Sequence, residues 1–243
     1  MPKNITPYQD SELSKKEQVA QMFDAISENY DCLNKVISFG TDSKWKQKIL
    51  KMVTAHQPTT VLDIATGTGD LAILFATSSA TEIIGLDISQ GMLDIGKKKI
   101  EAQKLDAKIQ MILGDGENIP YADDYFDIIT VAYGVRNFEN LEKGLSEILR
   151  TLKPGGQLII LETSVPTTFP FKQGYYVYTN FIMPTIGNLF SKDKNAYQYL
   201  STSAQNFPFG EALNNILRKI GFIDVMHMPQ TMGVATLYKA SKK

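Results

Sequence analysis

Residues Thr60–Asp70 read TVLDIATGTGD, and the fold turns on how that stretch is read. Thr60–Ala65 (TVLDIA) has the near-continuous apolar character of a strand buried on both faces. Asp70–Thr77 then opens a helical pattern, and Gly67 and Gly69 lie between the two. Glycines there permit a sharp strand-to-helix turn and let a ligand approach the backbone closely. The helix start behind them carries N–H groups without partners inside the helix. Asp87 lies twenty positions after Gly67, at the end of the next apolar run, Glu82–Asp87. A carboxylate at that place can accept both hydroxyls of a ribose. Two cofactors satisfy the pattern: a nicotinamide dinucleotide with its pyrophosphate over the turn, and S-adenosylmethionine (SAM) with its methionine part there. A tight turn without a ligand accounts for the glycines but not for Asp87.

Outward from this unit the alternation continues. Ser89–Lys104 reads as a helix with Ser89 as its N-cap. Lys108–Gly114, Phe126–Tyr133 and Gln157–Thr163 read as strands three to five. Leu141–Leu152 reads as a helix ended by Lys153-Pro154-Gly155-Gly156. Buried strands alternating with helices make a parallel sheet covered on both faces. Phe222–His227 and Thr231–Ala240 read as closing strands. The short link between them, with Pro229, permits an antiparallel hairpin and excludes a helical crossover. The expected α/β sheet is seven-stranded and mostly parallel, with an antiparallel last strand at its C-terminal edge.

Before the first strand, Val19, Met22, Phe23 and Ile26 fall at helical spacing. Leu33, Val36 and Ile37 form a second apolar set after Tyr30-Asp31. Ser43–Ala55 reads as a third helix carrying Trp45, Ile49, Met52 and Val53. These segments are read as an N-terminal helical cap over 17–58, preceded by a mobile polar arm over 1–16, all in a single domain. Between strand five and the helix Glu211–Ile220 the rhythm breaks. This insert, Pro166–Gly210, holds 11 of the 24 aromatic residues. Such enrichment suits either a helical lid with an aromatic core or a groove for an apolar tail at a membrane surface.

Composition narrows the function. A net charge of −1 excludes the strongly basic face that nucleic-acid binding needs. The lone cysteine, Cys32, excludes a disulfide framework and fits a reducing compartment. With His56 and His227 far apart, no zinc spacing exists, and no metal is expected. The polar, mixed-charge start lacks a targeting pattern, and no apolar run reaches the roughly 18 residues of a spanning helix. A soluble, cytoplasmic protein is expected.

Asp115 follows strand three beside Gly116, where its carboxylate can accept an adenine amino hydrogen. This favours SAM. The LKPGG turn (Leu152–Gly156) and the reversed final hairpin resemble methyltransferases in the same sense. The chain as a whole resembles the menaquinone/ubiquinone biosynthesis C-methyltransferase family. The matching segments include LNKVISFG (Leu33–Gly40) after the Tyr30-Asp31 pair, DIATGTGDLA (Asp63–Ala72), DISQGML (Asp87–Leu93) and GDGENIPYADDYFDIITVAYGVRN (Gly114–Asn137). LRTLKPGGQLIILETSVP (Leu149–Pro166), NAYQYLSTSAQNFP (Asn195–Pro208) and TMGVATLYKASK (Thr231–Lys242) complete the resemblance over roughly residues 17–242. YGVRN and NFP are more specific than any glycine turn.

The resemblance implies a Rossmann-like class I SAM-dependent methyltransferase that methylates a ring carbon of a reduced, prenylated quinone precursor. Demethylmenaquinol is the first expectation; a ubiquinone precursor or another small molecule are the alternatives. It implies SAM contacts at Thr68 in the Gly67–Gly69 turn, at Asp87 for the ribose, and at Asp115 with Gly116 for the adenine. Many relatives carry serine where this chain has Ala132, so that side-chain contact is absent here. Thr66 stands where relatives often have glycine, which costs little if its φ is negative.

Transfer to carbon requires an ionised hydroxyl to push charge onto the ring. Arg136 and Asn137 lie just past strand four, where strand order reverses and ligands sit. Arg136 is expected to stabilise the phenolate or to hold a water that takes the proton. The alternative is a salt bridge to Glu139 or Asp31 that positions the loop. Tyr30, with Asp31, is placed to close over the pocket from the cap, or else packs in a turn. Tyr133 and Met92 are expected as core, and Lys97–Lys99 as a solvated helix face.

Overall fold

The computed structural model describes residues 5–38, 40–179 and 194–243. Every residue of β1 (Thr60–Ile64) is buried, because helices cover both of its faces. On one side, Leu62 and Ile64 join Ile129 and Val131, with Leu145, Leu213 and Leu217 of later helices. On the other, Val61 and Ile128 pack with Trp45, Ile49, Leu71 and Leu93. The period of two along each strand thus feeds two separate cores.

β2 (Glu82–Asp87) and β4 (Phe126–Ala132) flank β1 in parallel. β3 (Ile109–Leu113) and β5 (Leu152–Thr163) extend the sheet outward, and β6 (Ile223–Gln230) and β7 (Ala235–Ser241) close it. The order is β3-β2-β1-β4-β5-β7-β6. The order reverses between β1 and β4, as anticipated. Three details differ from expectation. The antiparallel β7 is not at the edge; it lies between β5 and β6. Its side chains are almost all buried, whereas β6 is largely exposed. The strand with two apolar faces therefore takes the interior position. Pro229 lies within β6 rather than in the link, where an edge strand tolerates the missing N–H. Lys153–Gly156 is not a free turn but an irregular start of β5, with a register shift opposite Phe126 and Ile128. Gly155 (φ 77°) and Gly156 bond to Lys242 beyond β7.

Three helices precede β1: α1 (Lys15–Ile26), α2 (Tyr30–Ile37) and α3 (Asp42–His56). α1 starts with a reciprocal cap between Ser14 and Glu17. The segment expected to be a mobile arm is packed in its described part over residues 5–8, while Gln9, Asp10, Glu12 and Leu13 are exposed. Ile5 and Tyr8 pack against the small core that includes Val19 and Met22, and the Tyr8 N–H donates to Gln18 Oε1 at 2.9 Å. The short α4 (Asp70–Phe75) follows the glycine turn, and α5 (Gln90–Ala102) follows β2 with Ser89 as its N-cap. Ser89 Oγ also donates to Asp24 Oδ1 of α1, which accepts the Gly91 N–H as well. That carboxylate pins α1 across the start of α5. α6 (Leu141–Thr151) crosses to β5. The described part of the insert forms α7 (Phe171–Val177) and α8 (Lys194–Asn206), and α9 (Glu211–Ile220) leads into β6. Phe181 and Phe190, and the side chains of Leu33, Val36, Ile37 and Tyr197, lie outside the described residues. No helix among the described residues is long and apolar enough to cross a membrane.

Gly134, just past β4, shows how tightly the switch point is packed. A Cβ there would lie 2.5 Å from the Ala65 Cβ and 2.9 Å from Val131 Cγ1. Gly134→Ala is expected to lower stability by about 1–3 kcal/mol, since the Ala65 Cβ is fixed to the backbone and cannot rotate away. Gly174→Ala, where nothing lies within 4 Å, is the control and should be neutral. Urea unfolding of both variants measures the difference.

Candidate active site

Parallel strands leave their carboxyl ends open where the order reverses, and a cavity lies there. It spans about 640 Å³, open solvent included. Its floor is Ile64, Ala65 and Gly67 at the end of β1, with Asp87 and Ile88 after β2 and Asp115 and Gly116 after β3. Ala132, Tyr133, Gly134 and Asn137 bring in the end of β4. Lys16, Val19, Phe23 and Tyr30 of the cap roof it.

The turn is held by its own ligand mimic. The Gly67 N–H donates to Asp87 Oδ2 at 2.7 Å, and the Ser89 N–H donates to Asp87 Oδ1 at 2.9 Å. Ala65, Gly67 and Gly69 all have positive φ, at 52°, 58° and 78°. Thr66 does not, so threonine there carries no backbone strain. Its hydroxyl donates to Asp63 Oδ2, and Thr130 donates to Asp63 Oδ1 across the strand pair. Burial pushes the carboxyls of Asp63 and Asp87 up to about 6.

Charge in the cavity is acidic. Asp87, Asp115 and Glu117 line it against Lys16 alone. Lys16 Nζ lies 2.8 Å from Asp115 Oδ2, and the Glu117 N–H donates to Asp115 Oδ1. A pyrophosphate would meet like charge here, and the Gly67 N–H is already engaged. A cationic, ribose-bearing ligand fits better, with the apolar side chains of Ile64, Leu86, Met92 and Phe138 available to a purine. Gly116 is required at this wall, because a Cβ would fall 2.9 Å from both Ile64 Cγ2 and Phe138 Cζ.

The cap is tied to the turn by alternating charges. Thr68 Oγ1 donates to Asp31 Oδ1 of α2 at 2.6 Å. Lys99 Nζ of α5 lies 2.5 Å from Asp31 and 2.9 Å from Asp70, and donates to Thr68 Oγ1 at 2.8 Å. Lys46 of α3 bridges Asp70 and Asp42. Lys99 is thus not part of a solvated face, although Lys97 and Lys98 are exposed. Its three acidic or hydroxyl partners come from segments distant in sequence.

Beyond Asn137 the polarity changes. Arg136 Nη1 donates to Glu162 Oε1 at 2.5 Å and to the Tyr133 carbonyl at 2.8 Å. The partner is Glu162, at the end of β5, rather than Glu139 or Asp31. The two side chains are 8% and 1% exposed. Asn137 Nδ2 donates to the same carbonyl, and its Oδ1 accepts from the Tyr199 hydroxyl of α8 at 3.2 Å. Tyr133 carries φ 57°, a costly conformation for an aromatic residue and of a kind that clusters at functional sites.

Of the residues singled out in the sequence, Gly67, Asp87, Asp115, Gly116, Tyr30 and Asn137 share the cavity. Tyr30 opens α2 and meets Phe23 edge-on, with centroids 5.9 Å apart. Thr68 and Gly69 do not line the cavity. Thr68 is turned to Asp31 and Lys99, and Gly69 faces Met111. Arg136 lies behind the wall, on Glu162. Tyr133 and Met92, expected as core, line the cavity as well as being largely buried. Asp63, Glu162 and Tyr199 were not singled out, and lone acidic residues inside apolar strands were the available signal for the first two.

The model of the ubiE/COQ5 methyltransferase family matches residues 11–242. The chain belongs to this family. It is 44% identical over 239 residues to a demethylmenaquinone methyltransferase of Bacteroides fragilis, covering 98% of this chain and 97% of that protein. It is 40% identical over 242 residues to the ubiquinone/menaquinone biosynthesis C-methyltransferase UbiE of Geobacter sulfurreducens, covering 99% and 93%. Among solved structures, the cyclase SpnF superposes with a TM-score of 0.66 at 18% identity, over 93% of this chain and 96% of that one. A SAM-dependent methyltransferase from Aquifex aeolicus gives 0.59 at 17%, over 82% and 89%. Likeness at that identity shows the fold, and one fold hosts several reactions. Family membership, not the fold, makes this a methyltransferase.

The raised carboxyls carry a pH prediction. A carboxyl with a raised folded pKa binds its proton more tightly when folded, so stability falls as pH rises from 3.8 towards about 6. Asp63→Asn removes one such group. Relative to the wild type, the variant should gain about 1 kcal/mol between pH 5 and pH 7.5. Urea midpoints at the two pH values test this, and an unchanged difference would contradict the assignment.

Proposed function

We propose that this chain transfers a methyl group from SAM to a ring carbon of a reduced, prenylated quinone precursor, with demethylmenaquinol as the substrate. The observation that carries the proposal is the acidic cavity at the switch point of a chain in this family, with Arg136 buried directly behind it. The near full-length relatives named for demethylmenaquinone support the choice of ring. When bound, SAM supplies an electrophilic methyl group.

The chain's own groups supply the rest. Each oxygen of Asp87 accepts one backbone bond and keeps a lone pair for a ribose hydroxyl. Asp115 and Gly116 take the adenine edge, and Lys16 shares the Asp115 carboxylate from the roof. Gly67 lets the methionine part approach the turn, while Thr68 acts through Asp31 and Lys99 to hold the cap closed. Tyr30 and Asn137 flank the space between this pocket and Arg136. Arg136 stabilises the negative charge of the ionised ring hydroxyl in a site without bulk water, where such stabilisation is strongest. Alignment of donor and acceptor contributes up to roughly 7–11 kcal/mol of the barrier. The exposed Phe169, Phe171 and Val177 of the insert are the face offered to the prenyl tail and to the membrane surface that carries it.

Arg136→Lys keeps the charge and loses the planar fork. Its kcat is expected to fall about 10²-fold, with the Kd for SAM within threefold of wild type. The measurement is transfer of labelled methyl from SAM to demethylmenaquinol. Unchanged turnover would remove Arg136 from the reaction. Asp87→Asn should instead weaken SAM by about tenfold or more at pH 7.5, read by calorimetry. Wild-type protein should float with anionic liposomes, and Phe169→Ser with Phe171→Ser should reduce that fraction without altering SAM binding. Mass analysis of cellular quinones after deletion tests the whole reading, since a normal menaquinone pool would overturn it.

A further inference from the structure

A ring of hydrogen bonds joins the wall after β3, the loop after β4 and the start of α1. Lys15 Nζ donates to the Arg136 carbonyl at 3.1 Å and to the Phe138 carbonyl at 2.7 Å. The following residues, Glu139 and Asn140, donate their N–H groups to Glu117 Oε1 at 2.6 and 3.1 Å. The Glu117 N–H donates to Asp115 Oδ1 at 2.9 Å, and Lys16 Nζ lies 2.8 Å from Asp115 Oδ2. The ring therefore begins and ends on neighbouring residues of α1. Inside it, the backbone of the β4 loop is clamped by a cation on its carbonyls and by a buried anion on its N–H groups.

Lys15 has no evident purpose in α1 itself. A cation in the first turn of a helix opposes the helix dipole. Burial holds the ammonium below the ordinary lysine range, and Glu117 and Glu139 offset only part of that. The side chain is spent instead on a loop 121 positions away. Lys15 lies four residues before Val19 and eight before Phe23, on the stripe of α1 that roofs the cavity. The loop it holds opens with the short 3-10 turn Val135–Asn137. Asn137 and Phe138 line the cavity, and Arg136 lies between them and Glu162.

We propose that Lys15 is a positioning residue for methyl transfer: its ammonium fixes the backbone of the Arg136–Phe138 loop to the helix that roofs the cofactor cavity. This rests on the reading above, in which Arg136 stabilises the ionised ring hydroxyl. Side-chain bonds to Glu162, the Tyr133 carbonyl and Tyr199 set where Arg136 and Asn137 point. Lys15 sets where their backbone lies relative to the cofactor. A misplacement of about 1 Å costs on the order of 10²-fold in rate. The roof has further holds of its own. Asp24 Oδ1 accepts from Ser89 Oγ and from the Gly91 N–H, and Val19, Met22 and Ile26 share a core with Met92, Ala196 and Tyr199. Loss of Lys15 therefore loosens the loop and leaves α1 over the cofactor.

The test uses the full chain, labelled SAM and a short-chain demethylmenaquinol. Lys15→Met keeps the apolar stem and removes the ammonium. Its kcat is expected to fall about 10–100-fold, with the Kd for SAM by calorimetry within about threefold and a urea midpoint close to that of the wild type. Lys15→Arg, which keeps the charge and several N–H donors, should recover most of the lost kcat. A folded Lys15→Met with wild-type kcat would overturn the proposal. So would a loss of SAM affinity as large as the loss in kcat, which marks Lys15 as a tether of the roof alone. If Lys15→Met does not fold, the same comparison is made on Lys15→Gln; failure of both to fold would assign Lys15 to folding and overturn the proposal too. In each of these cases, methylation of the quinol by the wild type leaves the quinol reading standing. No methylation by the wild type would overturn that reading and the proposal with it.

Discussion

The bond from the Gly67 N–H to the buried Asp87 carboxylate is the contact on which this architecture depends. It joins the ends of two neighbouring parallel strands at the point where the chain must leave the sheet. Together with the bond from the Thr66 N–H to the Leu86 carbonyl, it anchors the positive φ angles at Ala65, Gly67 and Gly69 to β2. With it, the turn stays low enough for a ligand to sit over the strands and for Gly134 to pass within van der Waals contact of Ala65. The same carboxylate is desolvated and keeps lone pairs for a ligand. Structural closure and ligand recognition therefore use one group.

Around that contact, charge is divided by depth. The cofactor side carries carboxylates bonded mostly to backbone N–H groups, which cost little rearrangement when a ligand arrives. The cap is fastened by partly buried lysines, Lys46 and Lys99, each shared between two carboxylates. The Arg136–Glu162 pair is different. It is deeply buried, and a buried ion pair is a poor source of stability relative to an apolar pair of the same size. Removing either partner would strand a buried charge.

Much of this was legible in the chain. The strand boundaries fell within a residue or so for β1 to β4, because an apolar run that ends in glycine or aspartate is a local signal. Ser89 as a cap and Asp87 and Asp115 as cavity residues were readable from their places at strand and helix ends, whereas Gly116 came from the family resemblance and the reversal between β1 and β4 from the habit of open α/β sheets. What failed was always long-range. The N-terminal segment looked polar and free, yet Tyr8 finds Gln18. Lys99 looked solvated, yet its partners Asp31 and Asp70 come from either side of β1. The hairpin was correct, but which of its strands adjoins β5 depended on comparing burial across the whole sheet.

Local sequence therefore determined the elements, their alternation, the turn and the carboxylates that follow each strand, since these arise from hydrogen bonding and periodicity within a few residues. Only the tertiary structure decided the partners: Glu162 for Arg136, Asp31 for Thr68, and β7 for the interior of the sheet. The reason is that a buried charge or an apolar face must be satisfied by whatever the fold brings near it, and chain separations of 26 residues for Arg136 and Glu162 or 37 for Thr68 and Asp31 leave no periodic trace.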